Sequence, residues 1–386
     1  MQVLPDTDQA MVQQLAGDFL AAESTPARVR GAEKDPSRMS DELWAQVAAL
    51  GWLGVSLPEA CGGQGLHLST LGLVFEELGR HLAPVPLLST VVPALILARH
   101  GAAAQLALLA DVVAGRTRLS FAVQEADGRW DAQATRMRGV REGHSIVLSG
   151  CKAFVPYFDA ARHCLVAFRL DGEPGLLSLA LVDTQRSGIT HSRLVPTGGD
   201  SEQLVQFDSV RIAPDDLVGA PGRAGAVIEE MMDLAAALTA AQMVGAAHQA
   251  TQRAAEYARQ RHAFGQPIGA FQAIQHMAAD MLIGVDGAQL LTREAIWRLG
   301  EGLPAQVEVS QAKAFANEKC LMAVRAAQQI HGGIGFIADF DQQLWYRRVT
   351  SWSLRAGTVM EHRARIAAAL LDNQGTVRLG EPVVAA

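Results

Sequence analysis

The sequence predicts an α+β chain in three parts: an N-terminal α-helical domain, a middle β domain of barrel or sandwich type, and a C-terminal four-helix bundle. Three observations carry this. Apolar residues recur at spacings of three and four over residues 7–116, and the period falls to two over 119–218. Long amphipathic stretches without internal proline then return over 224–371. At 386 residues the chain exceeds what a single core ordinarily organises, so domains are expected at 1–118, 119–222 and 223–386.

In the first domain, Asp41 to Leu50 places apolar residues on one helical face and stops at Gly51, and Ser69 to Arg80 repeats the pattern. Between them, Pro58 to Gly65 concentrates turn formers and reads as a loop. Pro84, Pro86 and Pro93 are expected to break the next stretch into short pieces, ahead of an alanine-rich helix over 102–114. In the second domain, alternating segments at 145–149, 163–168, 176–182 and 203–207 read as strands separated by Gly, Asp and Pro turns. In the third, helices are expected over 224–261, 272–299, 305–330 and 358–371.

Hydrophobic residues make up 49% and charged residues 19%, enough apolar surface for a large core and too few charges for a disordered chain. The formal net charge is -7, with no basic run interleaved with aromatics, so nucleic acid is a poor partner. Cys61, Cys151, Cys164 and Cys320 show no paired CxxC spacing; free thiols, and neither disulfide framework nor metal site, are expected. The first residues lack the pattern of a secretory or transit leader. The apolar window from Leu87 to Leu97 falls well short of the roughly 20 residues of a membrane span. These readings favour a cytoplasmic chain without a membrane partner.

Two stretches are too polar and glycine-dense for packing alone. Arg259 to Gln272 runs from a basic helix end through Gly265, Pro267 and Gly269 into a new helix. Its arginines suit either of two roles, gripping a phosphate with the planar guanidinium or capping the carbonyls at a helix C-terminus. Gln328 to Phe336 ends a helix in three glycines, which permit close backbone approach to a flat or charged ligand. It is not a GxGxxG turn after a strand, so a dinucleotide fold is not implied.

In this order and at this spacing, Arg261 to Gln275 (RxxFGxPIxxFQxxQ), Gln329 to Gly335 (QxxGGxG) and the pair Gly357-Thr358 resemble the acyl-CoA dehydrogenases. Leu50 to Val55, Pro58 to Gly65, and Glu76 to Arg80 with Leu82 to Pro86 resemble the first domain of that family. The resemblance covers nearly the whole chain. It implies a flavoprotein with FAD between the β domain and the bundle, and a homotetramer or a mixed tetramer with a related chain. It also implies an acyl-CoA substrate, with an electron-transfer flavoprotein as the usual acceptor. By the same resemblance, Arg261, Phe264 and Gln272 reach the ADP half of FAD held by a neighbouring subunit. Gln329, Ile330, His331, Gly332 and Gly333 stand near the adenosine and pyrophosphate, Thr358 faces the cofactor, and Phe154 stacks on the flavin.

The sequence departs from the family where the proton is taken. The carboxylate that usually precedes the Gly-Thr pair is Ala356, and the alternative position, two residues after Asp233, is Ala235. No catalytic base is assigned; Arg355, Glu361 and His331 are nearby in sequence, each with an ordinary structural role. The segment Val123 to Arg129 is a reduced form of the family's flavin-holding stretch, and Pro156 stands where a hydroxyl or N–H is usual. Such trimming resembles bacterial members that form mixed tetramers. The expectation is FAD-dependent α,β-dehydrogenation of a CoA thioester. Its alternatives are a non-catalytic subunit completing the FAD site of a mixed tetramer, or altered chemistry on an acyl-CoA in the same fold.

Overall fold

The computed structural model describes residues 4–171 and 177–372. Helices α1 (Thr7–Glu23), α2 (Pro26–Lys34), α3 (Asp41–Ala49), α4 (Leu68–Arg80), α5 (Leu87–His100), α6 (Ala103–Ala107) and α7 (Leu109–Val113) come first. Seven strands follow: β1 (Leu119–Ala122), β2 (Arg138–Glu142), β3 (Ser145–Pro156), β4 (His163–Leu170), β5 (Leu177–Asp183), β6 (Ile189–Leu194) and β7 (Glu202–Ile212). Then come α8 (Gly225–Gln260), the short strands β8 (His262–Ala263) and β9 (Gln266–Pro267), α9 (Gln272–Gly300), α10 (Gln306–His331), α11 (Gln342–Trp352) and α12 (Val359–Ala367). This is the helical, sheet, helical plan that the periodicities predict. The expected strand start at residue 176 and the end of the expected third domain, 373–386, lie outside the described residues.

By internal packing the described residues divide into two units, 20–71 with 83–171 and 177–235, and 4–19 with 72–82 and 236–372. The first is built on a mixed sheet of order β1-β4-β2-β3-β7-β6, with β5 on the other edge of β4. Strands β1 and β2 run parallel to β4 and the remaining pairs are antiparallel. Inward residues such as Leu148, Val166, Phe168, Val205, Phe207 and Val210 form its core. The long β3–β7 pairing is interrupted between Leu148 and Gly150 and again between Lys152 and Val155. Contrary to expectation, Pro93 does not break the chain but lies inside α5. Ser89 to Leu97 are all buried, and burial on every side outweighs the one backbone hydrogen bond that proline forfeits. The stretch 102–114 forms two short helices parted at Leu108.

In the second unit α10 packs along α9 and is flanked by α11 and α12. Helix α11 is an addition to the four long helices expected. Part of α4 crosses α8 at near backbone contact. A Cβ added to Gly79 would stand 1.9 Å from Gln242 O, and one added to Gly245 would stand 1.7 Å from Glu76 O. Beside this crossing, the buried Glu76 carboxylate accepts two hydrogen bonds from Arg293, both 2.8 Å, and one from Gln289 at 2.9 Å. The crossing fixes where α8, and therefore the hairpin at its end, leaves the bundle.

Candidate functional site

Helix α8 ends where Arg261 N–H donates to Tyr257 O at 2.8 Å, and Ile268 N–H closes back onto Arg261 O at 2.8 Å. Between them β8 and β9 pair His262 with Pro267 and Ala263 with Gln266. The two residues at the tip, Phe264 (φ 51) and Gly265 (φ 84), are both left-handed, the turn whose twist suits a two-residue hairpin. A non-glycine residue there costs of order 1–3 kcal/mol. Yet the Phe264 side chain is 96% exposed, with the Phe271 ring edge-on at 6.1 Å between centroids. Burial within this chain therefore does not explain the residue. The Arg261 and Gln272 side chains are exposed and make no hydrogen bond or ion pair among the described residues. Of the two roles open to Arg261, capping helix carbonyls is not the one taken.

Helix α10 ends at His331, and Gly332 (φ 63) begins a tight turn through Phe336. The buried His331 donates from Nδ1 to Ala327 O at 2.7 Å, and its ring stacks on Tyr257 at 4.5 Å and tilts against Phe340 at 5.3 Å. Burial holds its pKa below the ordinary histidine value, so the imidazole is a neutral packing group. The Tyr257–His331 stack brings the Arg261 hairpin and the glycine turn together. Gln328, also buried, donates from Nε2 to Gly335 O at 2.9 Å and braces the turn. Ile330 is buried as well, so it and His331 offer a ligand backbone atoms only. Gln329 is exposed, and a Cβ at Gly332 or Gly333 would meet nothing within 4 Å. The fold leaves this backbone open.

Thr358 caps α12. Its N–H and its Oγ1–H both donate to Glu361 Oε2 at 2.8 Å, and its Oγ1 accepts from Glu361 N–H. The Glu361 carboxylate is thus engaged in a capping box. Before Thr358 the chain makes a turn of two left-handed residues, Ala356 (φ 51) and Gly357 (φ 93). The carbonyl of Ala356 accepts from His362 Nε2 at 2.8 Å, and that of Gly357 from Asn317 Nδ2 at 3.0 Å and Lys313 Nζ at 3.5 Å. Both alanines at the expected base positions, Ala235 and Ala356, are buried. Lys313 and His331 stand 18 residues apart on one helix, roughly 27 Å at about 1.5 Å per residue. The Thr358 turn and the glycine turn are therefore not brought together.

Phe154 belongs to the sheet unit. It sits at the second bulge of β3 in a left-handed conformation (φ 56) with 40% of its surface exposed. Beside it the buried Lys152 donates to Val123 O at 3.1 Å and pairs with Glu125 at 3.0 Å, while Glu125 also accepts from Arg136 N–H and Met137 N–H. This network fixes the segment Val123 to Arg129 at its start.

Tyr257, Lys313, Asn317 and His362 are not among the residues expected from the sequence. For Lys313 a signal existed, since it lies within the apolar stripe of Val309, Ala312, Ala316 and Cys320. Among the described residues, no cluster of three His, Cys, Asp or Glu side chains is placed to hold a metal, and no helix is long and apolar enough to cross a membrane.

Residues 6–116 match the family model described as acyl-CoA dehydrogenase, N-terminal domain, and residues 224–371 match the acyl-CoA dehydrogenase C-terminal domain. The chain is 30% identical to the short-chain specific acyl-CoA dehydrogenase of Homo sapiens mitochondria, over 95% of this chain and 91% of that one. Among solved structures it is similar to the Tcur3481-Tcur3483 steroid ACAD, with a TM-score of 0.88, 33% identity, and 95% and 98% of the two chains covered. It is also similar to the ChsE4-ChsE5 complex from Mycobacterium tuberculosis, with a TM-score of 0.89, 26% identity, and 97% and 100% covered.

Proposed function

The chain belongs to the acyl-CoA dehydrogenase family, and from that premise we propose that it is one subunit of a mixed assembly that dehydrogenates a CoA thioester. A related partner chain supplies the proton-accepting carboxylate. FAD is the cofactor of this family, and when bound it supplies hydride acceptance. The residues present fit it. Arg261 offers a planar fork for phosphate, Gln272 and Gln329 offer exposed amides, and Gly332 and Gly333 offer open backbone. Thr358 presents a hydroxyl fixed by its cap, and Phe154 an aromatic face.

The observation that carries the partner is Ala356, buried and anchored by its own carbonyl where a carboxylate would take the α proton. Ionisable groups beside Ala356 are otherwise engaged. Glu361 closes a helix cap, His362 donates to Ala356 O, and Lys313 is wholly enclosed. The roughly 27 Å along α10 between the two candidate half-sites supports assembly, because each end then serves a different cofactor. On this reading electrons pass to an electron-transfer flavoprotein, and the assembly works in the cytoplasm.

The test is to co-express this chain with a related one that carries glutamate before Gly-Thr, and to measure native mass and flavin content. A mixed tetramer with more flavin per chain than this chain alone is expected. A stable homotetramer with one flavin per chain and full turnover contradicts the proposal.

A further inference from the structure

Only four lysines stand among the 33 basic residues, and two of them, Lys152 and Lys313, are completely buried. Lys152 has a carboxylate partner in Glu125. Lys313 has none within ion-pairing distance among the described residues. Its three hydrogen-bond partners are Asn317 Oδ1 at 2.5 Å, Trp352 O at 3.2 Å and Gly357 O at 3.5 Å. Enclosing an amine without a counter-charge is costly, and burial draws its pKa down to about 7. A packed Leu or Met would avoid that cost. What the amine provides and an apolar residue cannot is a set of donors aimed at backbone carbonyls.

Those carbonyls belong to the stretch that leads into Thr358. Lys313 and Asn317, from α10, hold Gly357 O, while His362, from α12, holds Ala356 O. The two residues so held are left-handed in succession, and Ala356, which has a Cβ, does not favour that conformation unaided. We propose that Lys313, acting with Asn317, is a positioning residue that locks the Ala356–Gly357 turn and thereby presents Thr358 to the flavin. The inference rests on the reading of Thr358 as flavin-facing. It adds that the lock is a buried amine on a neighbouring helix.

The test is Lys313→Met in the assembled protein, read by hydrogen–deuterium exchange of the segment 353–358, by the dissociation constant for FAD and by the visible circular dichroism of bound flavin. Expected are exchange at least tenfold faster in that segment with α9 unchanged, FAD bound at least tenfold more weakly, and an altered flavin dichroism. Unchanged exchange in 353–358 overturns the lock. Faster exchange with unaltered FAD affinity and dichroism overturns the presentation of Thr358, and so identifies the flavin-facing reading as the part that failed. Should Lys313→Met not fold, Asn317→Ala removes one of the two donors to Gly357 O; the same readouts then decide, with smaller changes expected.

Discussion

His362 is neutral because burial pushes its pKa down to about 3, against the opposing effect of its Nε2–H donation to Ala356 O; among the described residues its buried Nδ1 has no hydrogen-bond partner. The unfolded chain takes up a proton near pH 6.5, whereas the folded chain resists it. Stability is therefore fully present above about pH 6.5 and is lost as the pH falls toward 3. Between pH 6.5 and 4 the loss from this group should reach about 3 kcal/mol, at about 1.4 kcal/mol per unit. His81, lowered to about 4 by burial, adds to the same slope. Denaturant midpoints measured across that range should flatten in His362→Gln relative to the parent; an unchanged slope would show that the group does not titrate with unfolding. Phe264 is the opposite case, exposed and strained. Phe264→Ala should leave thermal stability within about 0.5 kcal/mol while lowering flavin content or native mass. A large stability loss without either effect would make the ring a packing residue.

At the scale of elements, the α4–α8 crossing has no room for a methyl group. Gly245→Ala should destabilise by about 1–3 kcal/mol or more, measured by thermal unfolding, because backbone rather than a side-chain end must move. Arg293→Leu should cost about 3–5 kcal/mol by stranding the buried Glu76 carboxylate. Element identity was legible where periodicity was strong. Helices α8, α9 and α10 begin and end within about two residues of expectation, because long apolar stripes are bounded by Gly and Pro. It failed where tertiary context decides. Strand β6 carries four exposed residues between half-buried ends, and β2 shows little alternation, so neither displays the period of a half-buried strand. Helix α5 continues through Pro93 because it is buried on all sides. Within the candidate site, the glycine turn and the Phe264 hairpin were legible from turn chemistry. What Lys313 anchors was not, since two of its three acceptors are backbone carbonyls about 40 residues away in sequence, on which no side-chain pattern bears.

For the whole molecule, the proposal that this chain completes sites in company is supported by the two candidate half-sites on α10, the alanines at 235 and 356 and an Arg261 side chain without a partner among the described residues. The three-part plan follows from two changes of hydrophobic period. The proposal of a partner rests on absent carboxylates, which only the family resemblance makes visible. The most direct measurement is to purify this chain alone, record its visible spectrum, add a mixed pool of acyl-CoA thioesters without oxygen, and record it again. The account predicts little bound flavin, or flavin absorbance that does not bleach. Bleaching by the isolated chain would contradict it and would mean that a base within this chain takes the proton.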